Sequence, residues 1–386
     1  MSFIFNVLIY SLFAWFMSLL ARNSYTIYGD SAKMDKYIWY YILFFVCLVA
    51  FSWKTGTDGF GYTLRFIRGF KPDEGNTEYI YNYVTNFIAS NGIPFFIGMG
   101  ILAFGQIYPM VKVIHKYRFI LIMLPFVMFG NCYFMNLMNA MRQMVVASMF
   151  VFASQYIVDK KLLKYAAVIL IGSLIHHSAL MLLPLYFIGY LMPWIGNRLD
   201  RRYLLLAIYV MCFVLGFTPA FNGIVSYAEA FSEAAGYESY TERVGEFLSG
   251  EYQAEVHRFG PMMMSYFLLG IFTIWFGPML KKKYESVIPY FNIWYLFAFL
   301  YACLYFLIVN VSHIFIRPVL YFQLFQLIIV SLLLWELYQQ PKNRLKAWFL
   351  VAVIWVEVVW NLYKNQGPTS IVNYHSMFFY DFIKYL

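Results

Sequence analysis

The sequence predicts an all-α polytopic membrane protein of about twelve transmembrane helices, with two longer external loops at residues 54–92 and 224–258. Three observations carry this. Of 386 residues, 62% are hydrophobic and 22% aromatic but only 12% are charged, and the mean hydropathy is +0.63. No soluble fold needs that much apolar surface. The apolar runs are about 20 residues long, enough for a helix to cross about 30 Å of hydrocarbon, and the ten-residue alternating strands of a barrel are absent. Finally, the Lys and Arg behind the net charge of +9 gather in short clusters between the runs. That is how cytoplasmic loops are marked, and it argues against nucleic acid as a partner.

In chain order, residues 3–21 lack a basic leader and read as a first span instead of a cleavable signal. Further spans are read at 37–53, 93–111, 119–138, 142–158, 162–177, 178–193, 203–223, 260–280, 287–309, 314–336 and 347–363. With this count, six basic joints share one side: Arg22/Lys33/Lys36, Lys112/Lys116/Arg118, Lys160/Lys161/Lys164, Arg198/Arg201/Arg202, Lys281/Lys282/Lys283 and Lys342/Arg344/Lys346. The positive-inside rule makes that side cytoplasmic and both termini external. Cys47, Cys132, Cys212 and Cys303 all fall inside apolar stretches and read as small hydrophobes. No repeat stands out, so residues 1–386 read as one membrane domain capped by its external loops.

The outer face holds the remaining polar features. In the loop 54–92, the second half reads as a short amphipathic helix at the interface. In the loop 224–258, Glu229, Glu233, Glu238, Glu242, Glu246, Glu251 and Glu255 recur every four or five residues, most simply a solvated helical face. The span that starts at Arg142-Gln143 and the one that ends at His176-His177-Ser178 are joined by a lysine-rich turn at the opposite face, which brings Arg and His to one depth. Ionisable groups there are expensive and usually functional.

An Arg at a span end ordinarily snorkels, and Arg68, Lys71 and Arg243 are read that way. Arg142 is not, because Gln143 follows it and the histidine pair faces it. Arg142 and Arg317 suit an anion, since a guanidinium forks onto phosphate oxygens and keeps its charge. His176 is favoured for proton transfer, with Asp58 and Glu78 as alternative bases. The spacing around the histidines does not fit zinc, and no metal or other cofactor is expected.

Three stretches then resemble the EpsG/Wzy group of bacterial polysaccharide polymerases: GTDGFGY at 56–62, the run from NAMRQMVVASMF to LIGSLIHHSALMLLPLY at 139–186, and IRPVLYF at 316–322. The group's pattern is approximately GTD-x3-Y, a span opening RQ-x-(L/V)-A, a lysine-rich turn, a span closing F-H-x-S-A, and a later Arg-x3-Tyr. The tail NYHSMFF at 373–379 is similar as well. Two departures are His177, where Lys or another residue often stands, and Pro318 directly after Arg317. The resemblance covers essentially the whole chain.

It implies a GT-C-like membrane glycosyltransferase that polymerises undecaprenyl-diphosphate-linked oligosaccharides at the outer (periplasmic) face of the bacterial plasma (inner) membrane. Neither nucleotide sugar nor metal is implied; a chain-length regulator is an implied partner, and the product would be an O-antigen, capsule or exopolysaccharide. Asp58, Tyr62, Arg142, Gln143, His176, Ser178, Arg317 and Tyr321 fall on the group's pattern. Arg142 and Arg317 would hold the diphosphate, while Tyr62, Arg65, Gln143, His177, Ser178 and Tyr321 would support the sugar. A ligase using the same lipid carrier would need similar groups. A lipid-linked oligosaccharide flippase would instead show broken or charged helices at the midplane, often in repeated halves.

Overall fold

A computed structural model describes residues 3–70, 78–218, 259–309, 313–365 and 372–377. The acidic series of the 224–258 loop lies outside the described residues, as do Lys71 and Arg243. Elsewhere the chain is a bundle of helices: α1 (Phe3–Tyr28), α2 (Lys36–Ala50), α3 (Gly59–Arg68), α4 (Tyr79–Ser90), α5 (Phe95–Ile114), α6 (Arg118–Gly130), α7 (Tyr133–Asn139), α8 (Met141–Val158) and α9 (Leu162–Ser173). A 3-10 helix, His177–Phe187, leads into α10 (Ile188–Gly196) and α11 (Arg202–Gly216). Then come α12 (Pro261–Tyr284), α13 (Phe291–Ile308), α14 (His313–Gln339), a 3-10 turn Pro341–Asn343, and α15 (Arg344–Lys364).

Each of the twelve segments read from hydropathy falls on helix over most of its described residues. Among the described residues, eight are long and apolar enough to cross a membrane, or nine if the bent α6–α7 pair is one span. Three shorter apolar helices, α2, α9 and α11, account for the others. Large hydrophobes such as Leu163, Tyr203, Leu345 and Trp348 are exposed on the outside of the bundle. Such a surface is stable in lipid, and the helical form satisfies each backbone polar group within its own segment.

The structure departs from the sequence reading in three places. Residues 59–68, read as loop, are helix α3, which buries Gly59, Tyr62, Thr63 and Phe66 on one stripe. The two glycines hide this i, i+3, i+4, i+7 pattern from a hydropathy reading. The span at 119–138 is not straight but bends by 72° between α6 and α7. The bend falls at Gly130, Asn131 and Cys132, with Cys132 in the left-handed region at φ 43°. Buried Gln106 of α5 donates to the carbonyl of Leu137 at 2.9 Å and of Met141 at 3.2 Å, supporting the chain where α7 gives way to α8. Lastly, the span at 178–193 begins as an 11-residue 3-10 helix. Pro184 has no N–H to donate there, and the Tyr165 hydroxyl donates to the Leu182 carbonyl at 2.6 Å.

Some charges of the basic joints tie helices together. Arg118 is fully buried and pairs with Asp35 at 2.8 Å, donates to the Lys33 carbonyl at 2.8 Å, and contacts the Gly29 carbonyl. Asp35 in turn caps α2 through Tyr37 N at 2.8 Å and accepts from Ser24 at 2.6 Å. Within the membrane, helices approach on small residues. A Cβ on Gly216 would lie 1.8 Å from the Phe306 carbonyl oxygen, so α11 and α13 touch backbone to backbone. Gly196, by contrast, has nothing nearer than 4.0 Å. Gly216→Ala is therefore expected to destabilise by about 1–3 kcal/mol and to lower the thermal midpoint of the purified protein, with Gly196→Ala unchanged. Equal midpoints would contradict the close α11–α13 approach.

Candidate functional site

An arginine and a histidine meet on one carboxylate. Glu78 stands just before α4, where its side chain makes no capping bond to the helix. One of its oxygens pairs with Arg142 Nη1, and the other lies 2.5 Å from His176 Nδ1. The three side chains are largely buried, at 8% exposure for Glu78 and 18% for each partner. A carboxylate so removed from water is stable only when its charge is matched and its lone pairs are occupied.

Each partner is delivered by backbone geometry. Arg142 is the second residue of α8, directly after the α7–α8 joint. His176 lies in the break between α9 and the 3-10 helix, outside both segments, and its amide is held by the Gly172 carbonyl at 2.9 Å. The amide of Ile80 donates to the Leu174 carbonyl at 2.9 Å. That bond docks the first turn of α4 against the end of α9, which sets Glu78 beside His176.

Aromatic rings wall the guanidinium. The Arg142 Cζ lies 4.7 Å from the Tyr81 ring centroid and 5.8 Å from that of Tyr62, both within cation–π range. Arg65 extends this shell, 4.8 Å from the Phe70 ring, which packs edge-on against Tyr81. On the far side, Gln143 donates to the Arg317 carbonyl, and the hydroxyls of Ser178 and Tyr321 bond at 2.6 Å. These contacts bind α8 and the 3-10 helix to α14. The Arg317 side chain is exposed, close enough for its charge to act on His176.

With Nδ1–H donating to Glu78, Nε2 of the neutral imidazole carries the lone pair.

The GTD turn packs against the joint that presents Arg142. Gly56 has φ +80°, and a Cβ there would fall 2.6 Å from Asn139 Oδ1 and 2.8 Å from Met138 Cβ. Asn139 Oδ1 accepts from the Thr57 amide at 2.5 Å. Only glycine suits both the left-handed backbone and the close approach. Behind the turn runs the chain tail: Trp53 N donates to the His375 carbonyl at 2.7 Å, His375 N to Thr55 Oγ1 at 3.0 Å, and Met377 N to the Phe51 carbonyl at 2.9 Å.

Of the residues singled out from sequence, Glu78, Arg142 and His176 form the paired centre, and Gln143, Ser178, Arg317 and Tyr321 lie around it through the contacts above. Tyr62 and Arg65 belong to the aromatic shell, and His177 acts on the imidazole by charge. Asp58 sits apart from the pairing: it is exposed and precedes α3 without capping it. Sequence reasoning missed Tyr81 and gave the tail no task. The identity in spacing between Tyr81 and Glu78, one helical turn apart, was the available signal for the first. Among the described residues, no three His, Cys, Asp or Glu are grouped to hold a metal ion.

Comparison with known proteins gives one match. The model of the EpsG family fits residues 36–376, from α2 through the tail, and the chain belongs to that family. No curated protein and no solved structure matches.

Proposed function

We propose that this EpsG-family chain is a polysaccharide polymerase that acts on lipid-diphosphate-linked oligosaccharides, with the Glu78–Arg142–His176 centre as its active site. Family membership and the apolar helices support a membrane role in polysaccharide biosynthesis. The single observation that carries the chemistry is the pairing of one buried carboxylate with both an arginine and a histidine. The undecaprenyl carrier, the outer face and a GT-C-like mode of action are parts of the same proposal.

The donor is the growing glycan on its lipid diphosphate, and the acceptor is a hydroxyl of the next lipid-linked unit. Arg317 and the remaining N–H donors of Arg142 bind the diphosphate; a guanidinium has five, and the ion pair with Glu78 engages one nitrogen. As the bond between the anomeric carbon and the phosphate oxygen breaks, both electrons leave with the lipid diphosphate, whose charge the two guanidinium groups stabilise. The acceptor oxygen bonds to the anomeric carbon from the opposite side, which inverts that centre. Its proton passes to His176 Nε2, and the imidazolium so formed is stabilised by Glu78 through Nδ1–H. Tyr62 and Tyr81, buried against Arg142, hold its guanidinium in place, and the half-buried Arg65 faces the sugar.

The test is a reaction in nanodiscs with lipid-diphosphate-linked repeat units, no nucleotide sugar, and a chelator present. The wild type is expected to give a ladder of longer lipid-linked glycans. Arg317→Ala and Arg142→Lys are each expected to slow it by about 10²-fold or more, because Lys cannot replace a forked phosphate contact. Full-rate polymer from Arg142→Lys would remove the forked contact from the account. No ladder, with labelled lipid crossing between leaflets instead, would replace the polymerase by a transporter.

A further inference from the structure

At the far end of the bundle from Glu78 lies a cavity of about 570 Å³, bounded by α1, α6, α14 and α15. Its place follows from α14, which carries Arg317 and Tyr321 at one end and the cavity residues Leu334, Trp335, Tyr338 and Gln339 at the other. At about 1.5 Å per residue, that is about 20 Å or more of helix between the two sites.

The cavity is a groove suited to a lipid chain. Its walls are apolar and ring-rich, including Trp15, Phe126, Trp335 and Trp348. Trp15 and Trp348, from α1 and α15, are 56% and 62% exposed, so the groove opens sideways into the bilayer. Along α1 it runs from Trp15 to Thr26, about 16 Å at the helical rise, which is about half of a hydrocarbon core about 30 Å thick.

Its charge is one-sided. Arg22 is the one charged residue among those lining the cavity, exposed on the α1 wall one turn before Thr26, and no carboxylate lines it. Nearby acids are engaged elsewhere: Glu336 with Lys283 at 2.6 Å and Tyr284 at 2.9 Å, and Asp35 with Arg118 at 2.8 Å. A second cation, Arg344, lies 6.0 Å over the ring of Tyr338, itself a wall residue. Tyr and Trp beside Arg at a span end form the interface at which phospholipid headgroups lie.

We propose that this groove binds an anionic phospholipid, with the phosphate at Arg22 and one acyl chain along the ring-lined wall. A polyprenyl carrier is the poorer occupant, because its chain is longer than a groove confined to one leaflet. The site is separate from the transfer chemistry and serves to hold α1 and α15 together across the gap between them.

The experiment is native mass spectrometry of the purified full chain offered phosphatidylglycerol, phosphatidylcholine or undecaprenyl phosphate as probes. The wild type is expected to retain phosphatidylglycerol at least five-fold over phosphatidylcholine (about that ratio corresponds to one charged contact). Arg22→Gln is expected to abolish this preference and Arg22→Lys to keep part of it, while Trp348→Ala lowers retention of both phospholipids. Equal retention of the two phospholipids by the wild type overturns the proposal, and so does an unchanged preference in Arg22→Gln. Undecaprenyl phosphate displacing phosphatidylglycerol overturns the assignment to a phospholipid.

Discussion

A carboxylate removed from water must have its charge matched and its lone pairs occupied, and Glu78 has the first from Arg142 and the second from a hydrogen bond with His176. Because its partners come from α8 and from the break after α9, the pairing is possible only if three parts of the chain meet to within hydrogen-bond distance. Much of the irregular structure serves that meeting. The α6–α7 bend and the α7–α8 joint place the start of α8, and the α9 break frees His176 from helical geometry. The bond from Ile80 N to the Leu174 carbonyl then fixes α4 against that break.

The surrounding layers stabilise this arrangement from both sides. The GTD turn is pressed against Met138 and Asn139, so its glycine is a matter of space as much as of backbone angle. The tail reaches back to pair with Ser52, while its Tyr374 bonds to Asn6 and Leu48, which joins the two ends of the chain next to that turn. The opposite end of the bundle is held by charge in a different way. There Arg118 is wholly buried and acts as a clamp for the α1–α2 connection, a structural duty for a residue that also fits the pattern of a basic joint.

The fold was legible in the sequence where it depends on hydropathy alone. Over the described residues all twelve apolar segments are mainly helical, because a lipid solvent leaves the backbone few alternatives. The breaks were less legible: Gly130, Asn131 and Cys132 interrupt an apolar run without lowering its average, so a window of span length passes over them. Likewise α3 was hidden by Gly59 and Gly61. For the site, Arg142 and His176 stood out because charged groups are rare in spans, and Glu78 was noted as a possible base. That Glu78 lies between them was not readable, since it depends on how the 54–92 segment folds over the bundle. Asp58, prominent in the sequence, is exposed and outside the pairing, and its neighbour Gly56 does the packing.

The central claim is that Glu78, Arg142 and His176 act as one unit, and a double-mutant cycle tests it most directly. Polymer formation would be measured for Glu78→Gln, Arg142→Ala and the double variant, with folding checked by thermal midpoint. Groups that act together lose most of their effect when any one is removed. The double variant is therefore expected to be about as slow as the slower single variant. Losses that multiply, giving a double variant slower by the product of the two singles, would show that Glu78 and Arg142 work independently and would contradict the account.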